Sequence, residues 1–476
     1  MSSVAENRIA LHDRLVAFLE AQETEGPNRL TDTTSLIKSG LLDSLGVFNL
    51  TAWVEREIGR EIDPTTFDLA AEWDTIGQIV SFVARRSERP AVQTTPHQPP
   101  YDIVPYSGGF KAQVAELQRY LWSSDPRLNR EYLTWKYERN PYLQPPLLFL
   151  ALSGHDVVGM RGVIGSRWEF GTPSRSVVLP YATDLVTRPD HRNRGLITSI
   201  LKSPLKELAA REHKYVINLS ASPMTLAVSL RLGWRSAGDA GLVVRRAWGW
   251  SRERQAQRLL HRIPGVWRVA DRLAPVVTGV RNRPFRILDA KSWMRRGQPT
   301  RVSVALAPRP DAMATLVRRL GHDGRLRHVR DVEYFSWRFQ NPLATYRFFF
   351  HGGEQPDGYM VLEASTSDLH DRNAVTIVDW EGVDDQVKAT LLDAALAWGG
   401  FVAIGAWSNT LPESSRAHLT RAGFVQPDDA ARLERRRPAV LVREVRDGVN
   451  GADWLLEGHR LLDLASWDLR PLAGLL

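Results

Sequence analysis

Ala182-Thr183-Asp184-Leu185-Val186-Thr187-Arg188-Pro189-Asp190-His191-Arg192-Asn193-Arg194-Gly195-Leu196-Ile197-Thr198-Ser199-Ile200-Leu201 is the stretch on which the fold turns. Ala182 to Thr187 reads as a strand, and Pro189 closes it because proline cannot donate to a ladder. A basic turn follows, and Thr198 to Leu201 continue as a helix. Successive N–H groups ahead of a helix make an anion cradle, to which Arg192 and Arg194 add charge. Gly195 has no Cβ, so the backbone can approach a pyrophosphate closely there.

Downstream, Tyr215-Val216-Ile217-Asn218-Leu219 reads as a second strand and Leu232-Gly233-Trp234 as the turn that closes the unit. Upstream, Glu131-Tyr132-Leu133-Thr134-Trp135-Lys136-Tyr137-Glu138-Arg139-Asn140-Pro141 opens it. That opening recurs, one residue shorter, as Glu333-Tyr334-Phe335-Ser336-Trp337-Arg338-Phe339-Gln340-Asn341-Pro342. Apolar strands follow each, Leu147 to Leu150 and Tyr346 to Phe350, and Phe401 to Ile404 with Ala422-Gly423-Phe424 parallels the later strand and turn. A period of about 200 residues is a duplicated domain and not a solenoid. In the second copy, Glu381-Gly382-Val383-Asp384-Asp385-Gln386 stands where the basic turn would be, and carboxylates there would repel a pyrophosphate. The second copy is therefore read as degenerate and non-catalytic.

Arg192, Gly195 and Ile197 are spaced like the coenzyme A loop of the GNAT acyltransferase superfamily, whose core is Arg/Gln-x-x-Gly-x-Gly/Ala, and the segment 107–245 resembles that family; Ile197 departs from its pattern. The Trp-Lys-Tyr-x-x-Asn-Pro opening is similar to a GNAT subgroup of surface-polysaccharide and secondary-metabolite pathways. The resemblance implies a coenzyme A site at Leu185, Val186, Thr187, Arg192, Asn193, Arg194, Gly195, Leu196 and Ile197, with the strand pairing to pantetheine as an added strand would. It also implies acyl transfer from acyl-CoA, acetyl-CoA foremost, to an amine. That chemistry needs a deprotonated amine, an oxyanion held by a strand N–H near Leu185–Val186, and a released thiolate. Asp184 is the nearest candidate base; the alternative is a strand-end carboxylate paired with Arg188 or Arg192. Ser222 and Ser229 stand where many family members carry an asparagine and an acid tyrosine, and both are departures. A thiol pKa near about 8.5 makes a fair leaving group, so water or a group of the acceptor can replace the acid, at about 10²–10⁴ in rate.

The N-terminal part has a different character. Residues 1–90 hold 15 acids and 9 bases, against a net charge of +8 for the whole chain, so an acidic head precedes a body of +14. Leu11, Leu15, Val16, Phe18 and Leu19 mark a helix over 4–22; Ser44 opens a second, Asp63-Pro64 caps a short third, and Thr75 begins a fourth. Within this pattern, Gly40-Leu41-Leu42-Asp43-Ser44-Leu45 resembles the attachment motif of acyl and peptidyl carrier proteins. The resemblance implies that Ser44 receives 4′-phosphopantetheine from a phosphopantetheinyl transferase, and that enzymes loading or unloading the carrier are partners. A hydroxyl at a helix N-terminus suits the phosphate left there; the bland alternative is an N-cap serine.

The expected organisation is multidomain: an all-α four-helix carrier domain (1–88), a Pro-rich linker (89–106) with five prolines between Pro90 and Pro105, a GNAT domain (107–245), a basic segment (246–298), and a degenerate GNAT-like domain with a C-terminal extension (299–476), the last two folds α+β with mixed sheets. Residues 245–286 carry 11 Arg against Glu253 and Asp271; this stretch docks on the carrier, touches a membrane or is simply solvated. The chain has no cysteine, which excludes disulfides, thiolate metal sites and a Cys nucleophile. No signal peptide or spanning run is visible, and no nucleic-acid, P-loop or metalloprotease motif, so a cytoplasmic enzyme without nucleic-acid or membrane partners is expected. The reading is a carrier-linked N-acyltransferase of natural-product biosynthesis whose acceptor is a small-molecule amine or, foremost, an amine tethered to its own arm on Ser44. Its rivals are a non-catalytic scaffold and a GNAT domain that loads its own carrier thiol.

Overall fold

The computed structural model describes residues 2–21, 30–37, 42, 44–60, 62, 72–87, 101–192, 194, 196–221, 223–246, 301–369, 374–399, 401–426, 438–446 and 454–471. The head contributes α1 (Ser2–Glu20), α2 (Ser44–Ile58) and α3 (Ile76–Ser87). Leu11, Leu15 and Leu19, four residues apart, are buried with Leu50, Val54, Ile79 and Val83 in one core. Thr75 and Gln78 close α3 reciprocally: Gln78 N donates to Thr75 Oγ1 at 3.3 Å and Thr75 N to Gln78 Oε1 at 3.0 Å, a capping box. Buried Asp74 accepts from Ser35 Oγ at 3.0 Å and Ile37 N at 3.1 Å, anchoring the chain that leads to Ser44. The helix read from Asp63-Pro64 lies outside the described residues.

The body begins with edge strand β1 (Asp102–Pro105), which pairs with β2, so four residues assigned to the linker belong to the sheet. Proline fits an edge, where one ladder donor is dispensable. Next come α4 (Lys111–Leu117), α5 (Pro126–Leu133), β2 (Leu147–Ser153), β3 (Asp156–Phe170), β4 (Arg175–Thr187), α6 (Leu196–Ala210), β5 (Tyr215–Ala221), α7 (Pro223–Arg231), β6 (Arg235–Asp239) and β7 (Leu242–Arg246). The later half supplies β8 (Val302–Ala305), α8 (Pro310–Leu320), β9 (Leu326–His328), α9 (Val332–Arg338), β10 (Ala344–Gly352), β11 (Pro356–Ser365), β12 (Ala374–Gly382), α10 (Asp385–Trp398), β13 (Ala403–Trp407), α11 (Glu413–Arg421) and β14 (Ala439–Glu444).

Two mixed sheets result, ordered β1-β2-β3-β4-β5-β14-β6 and β8-β10-β11-β12-β13-β7. Segments 107–245 and 299–476 are thus not self-contained: β14, from the end of the chain, lies antiparallel between β5 and β6, and β7 crosses to lie antiparallel to β13. The boundary drawn at 245 cuts through β7. The basic segment lies outside the described residues from 247 to 300. The two repeated Trp motifs meet face to face. Trp135 Nε1 donates to the Trp337 carbonyl at 2.7 Å, Trp337 Nε1 donates to the Trp135 carbonyl at 3.0 Å, and the rings stack at 5.1 Å. A single apolar core spans both sheets through this contact.

Candidate active site

On one face of the first sheet, Leu205 and Leu208 of α6 and Leu226 and Leu230 of α7 pack with Val163, Ala182, Val216 and Leu441. The opposite face carries α4 and α5, with Ile164, Ile217 and Val440 beneath them. β4 and β5 are parallel and paired only at Tyr181 and Ile217; beyond that point no strand pairs with the β5-facing edge of β4 among the described residues. The peptide groups along that edge are available to a ligand that adds as a strand. The basic turn and the N-terminus of α6 stand at the far end of this edge.

Of the proposed coenzyme A residues, Leu185, Val186 and Thr187 lie on this edge, Leu196 and Ile197 open α6, and Arg192 and Arg194 are exposed. Arg192 Nε donates to the Thr187 carbonyl at 3.3 Å, which holds its guanidinium beside the strand end. Arg188 Nε donates to Asp190 at 2.8 Å, and His191 bridges Arg188 at 2.7 Å and Tyr101 Oη at 3.0 Å. Burial and the adjacent Arg188 push the His191 imidazole down, so it is neutral, accepting from Arg188 and donating to Tyr101. Asn193, Gly195 and Ser222 lie outside the described residues.

Asp184 is paired with neither Arg188 nor Arg192. It is the extra residue of a β-bulge against β3, where Arg161 faces Leu185 and Gly162 faces Thr183, and its φ is +45°. Its Oδ1 accepts from Lys136 Nζ at 2.6 Å and Thr183 Oγ1 at 3.1 Å, and its Oδ2 from Tyr137 Oη at 2.9 Å. Lys136 also donates to Tyr132 Oη at 2.8 Å and Thr183 Oγ1 at 3.0 Å, so all three of its protons are engaged in the protein interior. Burial pushes the Lys136 ammonium down and Asp184 pulls it back. Gly162 makes the arrangement possible: a Cβ there would lie 1.8 Å from Tyr137 Oη. Arg161, buried behind the bulge with its pKa lowered to about 10 by desolvation, donates to the Thr183 carbonyl at 3.3 Å. Lys136, Tyr137 and Gly162 were missed as site residues, although a lysine set among aromatics signals a buried counter-ion. Ser229 is buried in α7, and its Oγ has no partner among the described residues.

The second sheet is closed where the first is open. Its β12 and β13 also part beyond Ile377 and Ala406, but the C-terminal segment enters the gap. Leu469 N donates to Thr410 Oγ1 at 3.0 Å, Arg325 to the Trp467 carbonyl at 2.9 Å, and Arg338 to the Pro471 carbonyl at 3.4 Å. A cavity of about 10 Å³ remains between β12, β13 and Leu469–Pro471, room for one water at most. The expected repulsion by an acidic loop is corrected: Glu381 is buried, bonded to Arg330 at 2.6 Å and Arg470 at 3.3 Å, and Asp384 caps α10 by accepting from Val387 N at 2.7 Å. The crevice is filled, not merely hostile.

The carrier packs on the helical layer of the first sheet. α2, whose first residue is Ser44, packs on α7, and Glu55 forms an ion pair with Arg231. Glu57 is engaged within the head by Arg14 at 2.7 Å.

An anion-ready turn, an unpaired strand edge and a docked carrier helix define the class as an acyltransferase linked to a carrier. Family models agree: residues 104–237 match the acetyltransferase (GNAT) domain and residues 13–83 the phosphopantetheine attachment site. The chain thus contains a phosphopantetheine carrier domain and a GNAT acetyltransferase domain. Among solved structures it is similar to a GCN5-related N-acetyltransferase from Anabaena variabilis ATCC 29413 (12% identity, 73% of each chain, TM-score 0.43). It is similar also to Eis1 from Mycobacterium abscessus (14%, 72% of this chain and 73% of that one, 0.38) and to a GCN5-related N-acetyltransferase from Kribbella flavida (13%, 72% of each, 0.40). No curated protein matches the chain. Among the described residues no helix is long and apolar enough to cross a membrane.

Proposed function

We propose that the first GNAT domain acylates an amine carried on the chain's own arm: acyl-CoA, acetyl-CoA foremost, is the donor, and the acceptor is an amine held as a thioester on Ser44, in a natural-product pathway. The observation that carries this reading is the packing of α2 on α7 with the Glu55–Arg231 pair. Ser44 at the first residue of α2 fits the modification, because a helix N-terminus favours a phosphate. A phosphopantetheine there supplies a flexible thioester arm of about 20 Å, comparable to five or six extended residues.

Arg192, Arg194 and the N-terminus of α6 hold the donor's phosphates, and the β4 edge holds its pantetheine. The amine nitrogen attacks the thioester carbon, the N–C bond forms and the C–S bond breaks, leaving a thiolate that takes a proton. The β4 N–H groups near Leu185 stabilise the oxyanion between those events. The amine's proton leaves to water, since both Asp184 oxygens already accept hydrogen bonds. Ser229 offers no acid comparable to a tyrosine.

One observation favours a second reading, in which the arm is the donor. α6 and α7 share a face, so an arm starting on α2, which packs on α7, approaches from the side of the coenzyme A turn. Intact-protein mass spectrometry separates the readings. Holo-protein charged with aminoacyl groups and given acetyl-CoA should gain an acyl mass that stays on the amine after thioester cleavage, with Ser44→Ala showing none. A label found only as a thioester on the arm supports self-loading. Acylation of free amines by acyl-arm without coenzyme A makes the arm the donor. No turnover with any acyl-CoA favours the scaffold.

A further inference from the structure

We propose that Lys136 is a positioning residue of the acyl-transfer site: with Tyr137 it clamps Asp184 in a left-handed bulge, which sets the backbone edge of β4 that meets the donor thioester. Asp184 acts through its backbone, as an anchor, and is not the proton acceptor. The proposal rests on the GNAT reading of the first sheet.

Three observations support it. First, Asp184 is the one non-glycine residue with a positive φ inside a strand among the described residues; Glu212 and Glu457 lie in turns and Trp454 lies outside the strands. Such a conformation disfavours an L-residue and persists where surrounding contacts over-determine it. Here the contacts are the Lys136 ammonium, the Tyr137 hydroxyl and the Thr183 hydroxyl. A bulge leaves its extra residue unpaired and re-aims the flanking peptide groups, and this one falls three residues past Tyr181, where β4 and β5 part.

Second, the filled copy has no left-handed bulge residue: its clamped carboxylate, Asp379, held by Arg330 at 2.8 Å and Tyr359 Oη at 3.0 Å, stands one residue past the bulge and is paired in the ladder. Its bulge falls at the matching place, Val378 between the pairs Val361–Asp379 and Leu362–Ile377, but Val378 is not left-handed. Arg338, the counterpart of Lys136 in the repeated motif, turns instead to Tyr346 Oη and Glu363, each at 2.8 Å, and to the Pro471 carbonyl of the plug. The left-handed, clamped bulge residue goes with the open crevice.

Third, the Asp184 side chain is fully buried opposite an ammonium. A general base needs a lone pair that the amine can reach, and burial of the whole Asp184 side chain puts this carboxylate out of reach.

The test compares backbone permission with side-chain chemistry. Glycine adopts φ near +45° without a clamp, whereas alanine does not. Full-length variants are titrated with CoA and acetyl-CoA by calorimetry, and thiol release from acetyl-CoA is followed against pH with aminoacyl-charged protein. Asp184→Gly should exceed Asp184→Ala by about 10-fold or more in kcat, the scale of a partly misplaced oxyanion donor, with a smaller change in KM. Lys136→Arg should exceed Lys136→Met likewise. If Lys136→Met fails to fold, the glycine–alanine pair carries the test alone. Glycine no better than alanine in both binding and thiol release overturns the proposal. A glycine variant that binds acetyl-CoA like wild type but releases no thiol at any pH returns Asp184 to proton transfer. Wild-type protein that binds neither CoA nor acetyl-CoA overturns the GNAT reading itself, a different outcome from equal weakness of the two variants.

Discussion

Reversing the charge at Arg231 tests whether the arm is served from the docked carrier. The Arg231 and Glu55 side chains are 25% and 19% exposed, so their pair lies between the surface and buried regimes. Exposed pairs are worth about 0.2–1 kcal/mol and charge-assisted bonds up to about 3 kcal/mol. Arg231→Glu removes the attraction and sets two carboxylates together, about 1.5–2 kcal/mol in all, or roughly 10–30-fold in the docked population. Arg231 is the residue to change, because Glu55 Oε1 also accepts from Ile62 N at 2.7 Å and its loss would disturb the carrier itself. The assay is the acylation rate of the aminoacyl arm in the full chain, at low salt and at about 0.3 M. Wild type should slow as salt screens the pair, and the variant should be slower at low salt and recover slightly as salt screens the carboxylate repulsion. Residual turnover is expected, since the tether alone supplies an effective concentration in the millimolar range. A variant that matches wild type at low salt refutes delivery from this docked position.

Arg192→Ala should lose a charge-assisted phosphate contact worth about 1.5–3 kcal/mol, or roughly 10–150-fold in CoA affinity, and calorimetry on wild type should find one site per chain because the second crevice is filled. Gly162→Ala puts a Cβ 1.8 Å from Tyr137 Oη, so the tyrosine must leave; overpacking and the lost bond to Asp184 together cost about 3–5 kcal/mol, read as a lower Tm and weaker CoA binding. For pH, burial alone would raise Glu381, but Arg330 and Arg470 outweigh it and hold it at about 2. A depressed carboxylate contributes stability that is present above its unfolded pKa and lost as pH falls through the folded value. Denaturant melts should therefore weaken from about pH 4.5 down to about 2, and less steeply in Glu381→Gln.

Much of the fold was legible because it is written in local patterns. The four-residue spacing of Leu11, Leu15 and Leu19, the Thr75 cap and the strand–turn–helix around Arg192 each declare themselves within a few residues. What stayed hidden depends on pairing at long range. Nothing in Leu242–Arg246 or Ala439–Glu444 says which sheet it will join, since both are short apolar strands with generic ends. Lys136 and Asp184 are 48 residues apart, and only the folded sheet brings them to 2.6 Å. The acidic turn was misread for the same reason: Glu381 looks like a repelling charge until Arg330 and Arg470 are seen beside it.

The exchange of last strands also bears on how the protein is made. The ribosome finishes β5 at Ala221, but its neighbour β14 ends at Glu444, about 220 residues later. At about 5–20 residues per second, the catalytic sheet waits roughly 10–45 s with β5 exposed along one side, the kind of unpaired edge that invites aggregation. Nor can the gene be cut between the copies without stranding an edge on each product. The second copy is thus a late-arriving clasp for the first, and a nascent chain that stalls before residue 439 should depend on chaperones however sound its carrier and the basic turn before α6.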